Sequence, residues 1–253
     1  MSIISIIIPT KNRNDLLNQA VDSVIKQTYK NWELYIINDS KEEIILKTID
    51  PRIHLEINKR TSGANGARNT GINLSSGEFI AFLDDDDTWE QNKLEKQLKI
   101  MKNTDAILSY TGKKIKYIKN KIEKEKYSYK KTFINPHITL QLHNYIGTTS
   151  SIMIKSDVLK TQIKFDEKIN ILQDYDLYIQ LSKLGKFYGI PESLITYNFD
   201  KKINHISLRK KELLLSARRI ISKQRGIYKT TIFAGLSIIF FQKLCKYIQI
   251  KIL

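Results

Sequence analysis

The chain has 253 residues, 42% of them hydrophobic and 27% charged, which is enough apolar material for one sizeable core. Ten glycines and four prolines exclude a collagen-like or low-complexity chain. The single cysteine, Cys245, excludes an internal disulfide framework and a cysteine-based zinc cluster. The formal net charge of +16 is unevenly placed: residues 1–200 carry 29 Lys and Arg against 25 Asp and Glu, whereas 201–253 carry 13 against 1. Within the first part, 113–131 alone holds nine lysines and two glutamates. A slightly acidic body with one basic excursion and one basic tail reads as an enzyme-like core lying near something anionic. The apolar run at the start has no basic residues before it and no small-residue cleavage site, so no signal peptide is expected and a reducing cytoplasm is the expected compartment.

Along the chain, Ile3–Ile8 is a β-branched run, broken only by Ser5, that suits a strand buried on both faces of a parallel sheet. Residues 14–27 set Leu17, Val21, Val24 and Ile25 on one helical stripe, with Asn14 as the expected cap. Further strands are expected at 33–38 and 53–57, with a short helix at 41–49 between them. Ala64–Leu74 has helical spacing, Glu78–Leu83 reads as a buried strand, and Thr88-Trp89-Glu90-Gln91 resembles a capping box opening a helix to Met101. This alternation implies βαβ units and a doubly wound α/β sheet. The second half is less regular, with strands expected at 106–110, 115–118 and 151–155, a helix over 173–184 and extended pieces around 187–197.

In such sheets ligands bind beyond the carboxyl ends of the strands. Those ends are Pro9-Thr10-Lys11-Asn12-Arg13, Asn38-Asp39-Ser40 and Asp84-Asp85-Asp86-Asp87. An acidic helix start accounts for one or two of four consecutive aspartates. Hard carboxylate oxygens two residues apart, at Asp84 and Asp86, suit Mg²⁺ or Mn²⁺ instead. Asp39 stands where a carboxylate can hold a base or ribose. Arg68 opens a helix after a glycine-containing turn, a setting that favours a phosphate. Gln173-Asp174-Tyr175-Asp176 brings more carboxylates to the start of an apolar helix, where an acidic first turn is the plainer account.

Five segments carry a family resemblance over roughly residues 2–200: SIIIPTKNR, QTYKNWELYIINDS, GARNTGI, GEFIAFLDDDDTW and QDYDLYIQL, in order. The chain resembles family 2 glycosyltransferases of the GT-A fold. That resemblance implies a Rossmann-like nucleotide-binding half at 1–105 on a mixed central sheet, and an acceptor half at 106–205. It implies that Thr10 and Asp39 cradle the nucleotide base, with Pro9, Arg13 and Asp85 in the same nucleotide-sugar site. Arg68 would reach the nucleotide, and Asp84 and Asp86 would hold Mn²⁺ or Mg²⁺ on the diphosphate. Asp174 would be the general base on the acceptor hydroxyl, and His205 a further metal-side residue. The chain departs from the family pattern at Gln173, usually Glu, and at Ser40-Lys41, usually Gly-Ser. The implied activity is inverting sugar transfer from a nucleotide-sugar, a UDP-sugar, to a growing bacterial surface glycan of capsule, O-antigen or lipooligosaccharide type.

Two basic segments complete the reading. The 113–131 stretch reads as a solvated hairpin with Lys114 and Lys116 toward water and Ile115 and Tyr117 toward the body. The 206–253 tail reads as basic amphipathic helices lying in the plane of an anionic membrane surface, its uncharged 230–242 stretch being too short to span. Docking of that tail on the protein's own body or on a second subunit is the alternative. A nucleotidyltransferase would want a glycine-rich loop after the first strand, which PTKNRND lacks. A non-enzymatic polybasic protein that binds nucleic acid or membrane would have no need of Asp84, Asp86 and Asp174.

Overall fold

The computed structural model describes residues 2–119, 122–199 and 210–237. Its spine is a nine-stranded mixed sheet in the order β3-β2-β1-β4-β8-β6-β9-β5, with β7 paired to β6. The strands are β1 (Ile4–Thr10), β2 (Trp32–Asn38), β3 (Ile53–Ile57), β4 (Phe79–Phe82), β5 (Asp87–Trp89), β6 (Leu108–Lys119), β7 (Ile122–Ser128), β8 (Ile152–Lys155) and β9 (Phe187–Phe199). The helices are α1 (Asn14–Ile25), α2 (Ala64–Leu74), α3 (Lys93–Asn103), α4 (Pro136–Leu142), α5 (Ser156–Thr161), α6 (Gln173–Leu181) and α7 (Lys210–Ser222). A further helical stretch covers 227–237.

The first half alternates as the apolar patterning requires. β1 runs parallel to β2 and β4, and β2 parallel to β3, so their carboxyl ends share one edge. Burial on both faces explains why β1 is isoleucine at Ile4, Ile6, Ile7 and Ile8, with the buried Ser5 between them. Ile4, Ile6 and Ile8 pack with Leu17, Val21 and Val24 of α1 and Leu94 of α3, whereas Ile7 faces Ala67 and Ile72 of α2 and the α6 side. β8 then enters antiparallel between β4 and β6, which makes the sheet mixed and carries it across residue 105 without a break.

Several local expectations are corrected. No helix forms at 41–49, because the Asn18 side chain takes over its backbone: Asn18 Nδ2 donates to Ile45 O at 2.9 Å and Lys47 N–H donates to Asn18 Oδ1 at 2.8 Å. Asn14 does not cap α1; it is the first helical residue, and its amide donates to Glu43 O. The 88–91 pattern is no capping box, since residues 87–89 pair with β9 and α3 starts only at Lys93. α6 stops at Leu181, short of the expected Leu184. The strands expected at 106–110 and 115–118 are one strand, β6, with a register shift around Gly112. Its hairpin with β7 forms, but Lys114, Ile115, Lys116 and Tyr117 are all half-buried because β9 covers it; Lys114 pairs with Glu125 at 3.5 Å.

The described part of the tail docks on the body. Leu213, Ser216 and Ile220 of α7 are buried along one stripe, and Ile232 and Leu236 join the same core. The sequence reading favours the membrane because a fully internal helix would not need such an excess of positive charge. Acidic partners on the body supply that need: Arg219 Nε lies 2.6 Å, and Lys223 Nζ 2.7 Å, from Asp166 Oδ2. Leu214 and Leu215 remain exposed on the outer face. Among the described residues no helix is long and apolar enough to cross a membrane.

These ion pairs have a pH signature. Burial alone would raise the Asp166 carboxyl, but bonds from Arg219 and Lys223 more than offset it and bring it to about 2. Glu167, held by Asn69, Thr61 and Arg60, likewise outweighs its burial and lies at about 2. Both lie below their unfolded values of 3.8 and 4.5, so their stabilisation is complete above those values and disappears as pH falls toward 2. Asp166→Asn is expected to lower the melting temperature at pH 7 by an amount equivalent to about 2 kcal/mol. The wild-type–variant gap should close by pH 2 in thermal melts across that range.

Candidate active site

The site is built where the parallel strands end. Thr10 closes β1, Asp39 follows β2 and the four aspartates follow β4, and the β1–β2 register sets Thr10 beside Asn38. Thr10 Oγ1 donates to Asp85 Oδ2 at 2.8 Å. Arg13 Nη1 lies 3.1 Å from both Asp85 Oδ1 and Asp86 Oδ2. Four of the expected residues are therefore tied in one knot, with Pro9 buried in β1 beside Ile37.

Arg68 joins the knot from α2. It is 3% exposed, and its Nη2 lies 2.6 Å from Asp84 Oδ1 and 3.3 Å from Thr149 Oγ1. Its Nε is buried with no hydrogen-bond partner among the described residues. Gly66 makes this placement possible: a Cβ there would stand 1.9 Å from Thr61 O, so any larger residue would push the first turn of α2 off its loop. Asp39 stands apart from the knot. Its carboxylate accepts from Asn58 Nδ2 at 2.6 Å, Ser62 Oγ at 2.9 Å and the Gly63 N–H at 2.8 Å. Gly63, at φ 123°, has a backbone that side-chain-bearing residues rarely adopt.

The four aspartates do not serve as a helix start, since α3 begins six residues after Asp87. They divide the available cations and hydroxyls. Asp84 takes Arg68 and Thr149, Asp85 takes Thr10 and Arg13, Asp86 takes Arg13, and the buried Asp87 accepts from Ser150 Oγ at 2.6 Å. Burial first, then mutual repulsion, pushes Asp86 up to about 6 and drives Asp87 well above the ordinary range. Burial also raises Asp85, against the pull of Thr10 and Arg13. Four carboxylates beside two guanidinium groups leave room for further positive charge, and carboxylate oxygen is the donor that Mg²⁺ and Mn²⁺ prefer. Among the described residues no three His, Cys, Asp or Glu side chains converge on one point. A cation here would thus take one or two carboxylates and complete its shell from phosphate and water, which is usual for Mg²⁺.

Asp174 enters from the other half, in the first turn of α6. Its Oδ1 accepts the Tyr175 N–H at 2.8 Å, and Asn144 Nδ2 lies 3.3 Å from Oδ2. The Tyr178 hydroxyl of the same helix is buried with no hydrogen-bond partner among the described residues. Burial drives that phenol well up, and the charges of Asp174 and Asp84 add to the effect while Arg68 opposes it. His205 falls outside the described residues. Trp89 is core, 5% exposed, with Nε1 donating to Ser150 O at 2.9 Å.

Sequence reasoning missed Thr149, Ser150 and Asn144. Asn144 gives no signal of its own, and that of Thr149 and Ser150 is the polar run Thr148-Thr149-Ser150-Ser151 ahead of an apolar strand, which by composition looks like any loop. It becomes part of the site because β8 lies next to β4, which turns the 149–151 turn toward Asp84 and Asp87.

Fold and site together define an α/β protein whose parallel strands end in a cluster of carboxylates and guanidinium groups. Residues 5–161 match the family described as glycosyl transferase family 2, and the chain belongs to that family. An uncharacterized glycosyltransferase of Methanocaldococcus jannaschii is 33% identical over 231 residues, covering 85% of this chain and 77% of that one. The UDP-Glc:alpha-D-GlcNAc-diphosphoundecaprenol beta-1,3-glucosyltransferase WfgD of Escherichia coli is 42% identical over 112 residues, 43% of this chain and 44% of that one. The chain thus spans under half the length of the second relative. The solved mannosyltransferase of Pyrobaculum calidifontis, in complex with GDP-Man and Mn²⁺, superposes with a TM-score of 0.62 at 16% identity, covering 95% of this chain and 71% of that one. The fold is GT-A, and the chain is a glycosyltransferase of the type found in bacterial polysaccharide biosynthesis.

Proposed function

We propose that this chain transfers one sugar, with inversion, from a UDP-sugar to a hydroxyl of a growing, lipid-linked bacterial surface glycan at the cytoplasmic face of the membrane. The observation that carries the reading is the convergence of Thr10, Arg13, Arg68 and the aspartates at the strand ends, with Asp174 in the first turn of α6 as the further carboxylate. The relative that uses UDP-Glc and a diphosphoundecaprenol-linked acceptor supports the donor and acceptor classes.

Inverting transfer is an in-line displacement at the anomeric carbon. The acceptor oxygen bonds to that carbon as the bond to the diphosphate oxygen breaks, and the acceptor proton passes to a base. In this reading Asp174 Oδ2, steadied by Asn144, takes that proton. Arg68, with its unsatisfied Nε, and Arg13 offset phosphate charge on the donor side. Asp39 and the 58–63 loop that it organises, together with Thr10, border the nucleoside. Asp84 and Asp86 would hold Mn²⁺ or Mg²⁺, which when bound supplies positive charge to the departing diphosphate. Exposed Leu214, Leu215, Ile227 and Phe233, beside Lys211, Arg218, Arg225 and Lys229, are the surface in this reading that meets an anionic leaflet.

Calorimetric titration of UDP, GDP, CDP and ADP, each with and without Mn²⁺, tests the donor side. UDP is expected to bind only with metal, and Asp86→Ala to abolish that binding. Metal-independent binding, or preference for another diphosphate, would overturn the corresponding element of the reading.

A further inference from the structure

The docked tail touches the body at places that bear on Asp174. Lys223, one residue past α7, sets its Nζ 2.8 and 2.7 Å from the two carboxylate oxygens of Asp176 and 2.7 Å from Asp166 Oδ2. Asp176 is 1% exposed, and its other partner is Gln180 Nε2 at 2.8 Å. Arg219 Nε reaches the same Asp166 oxygen at 2.6 Å, and the Ile171 N–H donates to Ser216 Oγ at 3.3 Å. Contacts from the tail therefore fall at 166, 171 and 176, bracketing the segment that delivers Asp174.

That segment is strained where it turns into α6. Leu172 has φ 67° and ψ 22°, the left-handed region that a side chain of this kind rarely adopts. Such a conformation persists only when its surroundings hold both flanks. On the far side the segment is tied to α2, the helix of Arg68: Asn65 Nδ2 donates to Asp166 O and Ile169 O, and Asn69 Nδ2 to Phe165 O. The tail supplies the opposite half of the clamp.

We propose that Lys223 is a positioning residue for Asp174: by bridging Asp176 and Asp166 it locks residues 166–176 in the turn that presents Asp174 to the acceptor. The inference rests on the reading of Asp174 as the base. It gives the positive charge of this stretch of tail a role within the protein, because a buried Asp176 without its lysine would be an uncompensated charge. It also makes the tail part of the catalytic unit, independent of any membrane contact by the outer face of α7.

The test uses the full chain with Lys223→Met, Lys223→Arg and the milder Ser216→Ala. The readouts are amide hydrogen exchange over 166–176, melting temperature, and release of UDP from UDP-glucose with Mn²⁺. Lys223→Met is expected to speed exchange across 166–176 and to lower kcat at least tenfold, with KM for UDP-glucose within twofold of wild type. Lys223→Arg should restore both, and Ser216→Ala should cost two- to threefold in kcat. Wild-type protection of 166–176 in Lys223→Met would overturn the proposal, as would a kcat loss no larger than the unfolded fraction explains. Should Lys223→Met fail to fold, unchanged exchange and kcat in Ser216→Ala would overturn it. Should wild type leave UDP-glucose intact, the exchange data alone decide. Full turnover by Asp174→Asn would instead remove the base assignment and leave the exchange result standing.

Discussion

Asp174→Asn is expected to lower the transfer rate by about 10²–10⁴-fold while leaving donor affinity unchanged. Asparagine keeps the size of the side chain and an oxygen for the Tyr175 N–H that Asp174 now accepts. It cannot take a proton. The hydrogen bonds of Asp174 to the Tyr175 N–H and to Asn144 are made in α6 and the 143–147 loop, so donor affinity is expected to be kept. Steady-state kinetics paired with calorimetry of UDP binding checks the split. A loss under tenfold would assign the base elsewhere, and loss of UDP binding would place Asp174 on the donor side.

Asp84→Ala and Asp86→Ala are expected to diverge in stability although both lose metal-dependent nucleotide binding. Asp84 compensates a nearly fully buried guanidinium, Arg68, at 2.6 Å and also accepts from Thr149. Removing one partner of such a pair leaves the other buried and unpaired, typically at about 3–5 kcal/mol. Asp86 is different, with a side chain 34% exposed and Arg13 as its cation. Its carboxyl sits at about 6, above the ordinary 3.8, through burial first and then repulsion by Asp84 and Asp85. A group raised in the folded state disfavours folding once it ionises, so above pH 6 the Asp86 charge works against the metal-free protein. Asp86→Ala should therefore melt at or above the wild-type temperature at pH 7 without metal, whereas Asp84→Ala melts clearly below it. Differential scanning calorimetry with and without Mn²⁺ distinguishes the two, and equal destabilisation would refute the division of labour among the four aspartates.

The local elements and the strand-end motifs were legible in the sequence because each is a short-range pattern. An isoleucine-rich run with no period-2 alternation has one common use, a strand covered on both faces. Strand and helix alternation then sends Thr10, Asp39 and Asp84 to one sheet edge. What misled was also local: 88–91 has capping chemistry, yet its backbone is taken by β9, about a hundred residues away in sequence, and the helix spacing at 41–49 lost to the side chain of Asn18. Tertiary structure alone decided who neutralises whom. Arg13 meets Asp85 across 72 positions, Thr149 meets Asp84 across 65, and Lys223 meets Asp176 across 47. Charge composition could say that the tail was basic, but not whether its partner was a lipid surface or a buried carboxylate. Electrostatic pairing depends on distance and burial, and neither exists until the sheet has brought β8 beside β4 and seated α7 against α6.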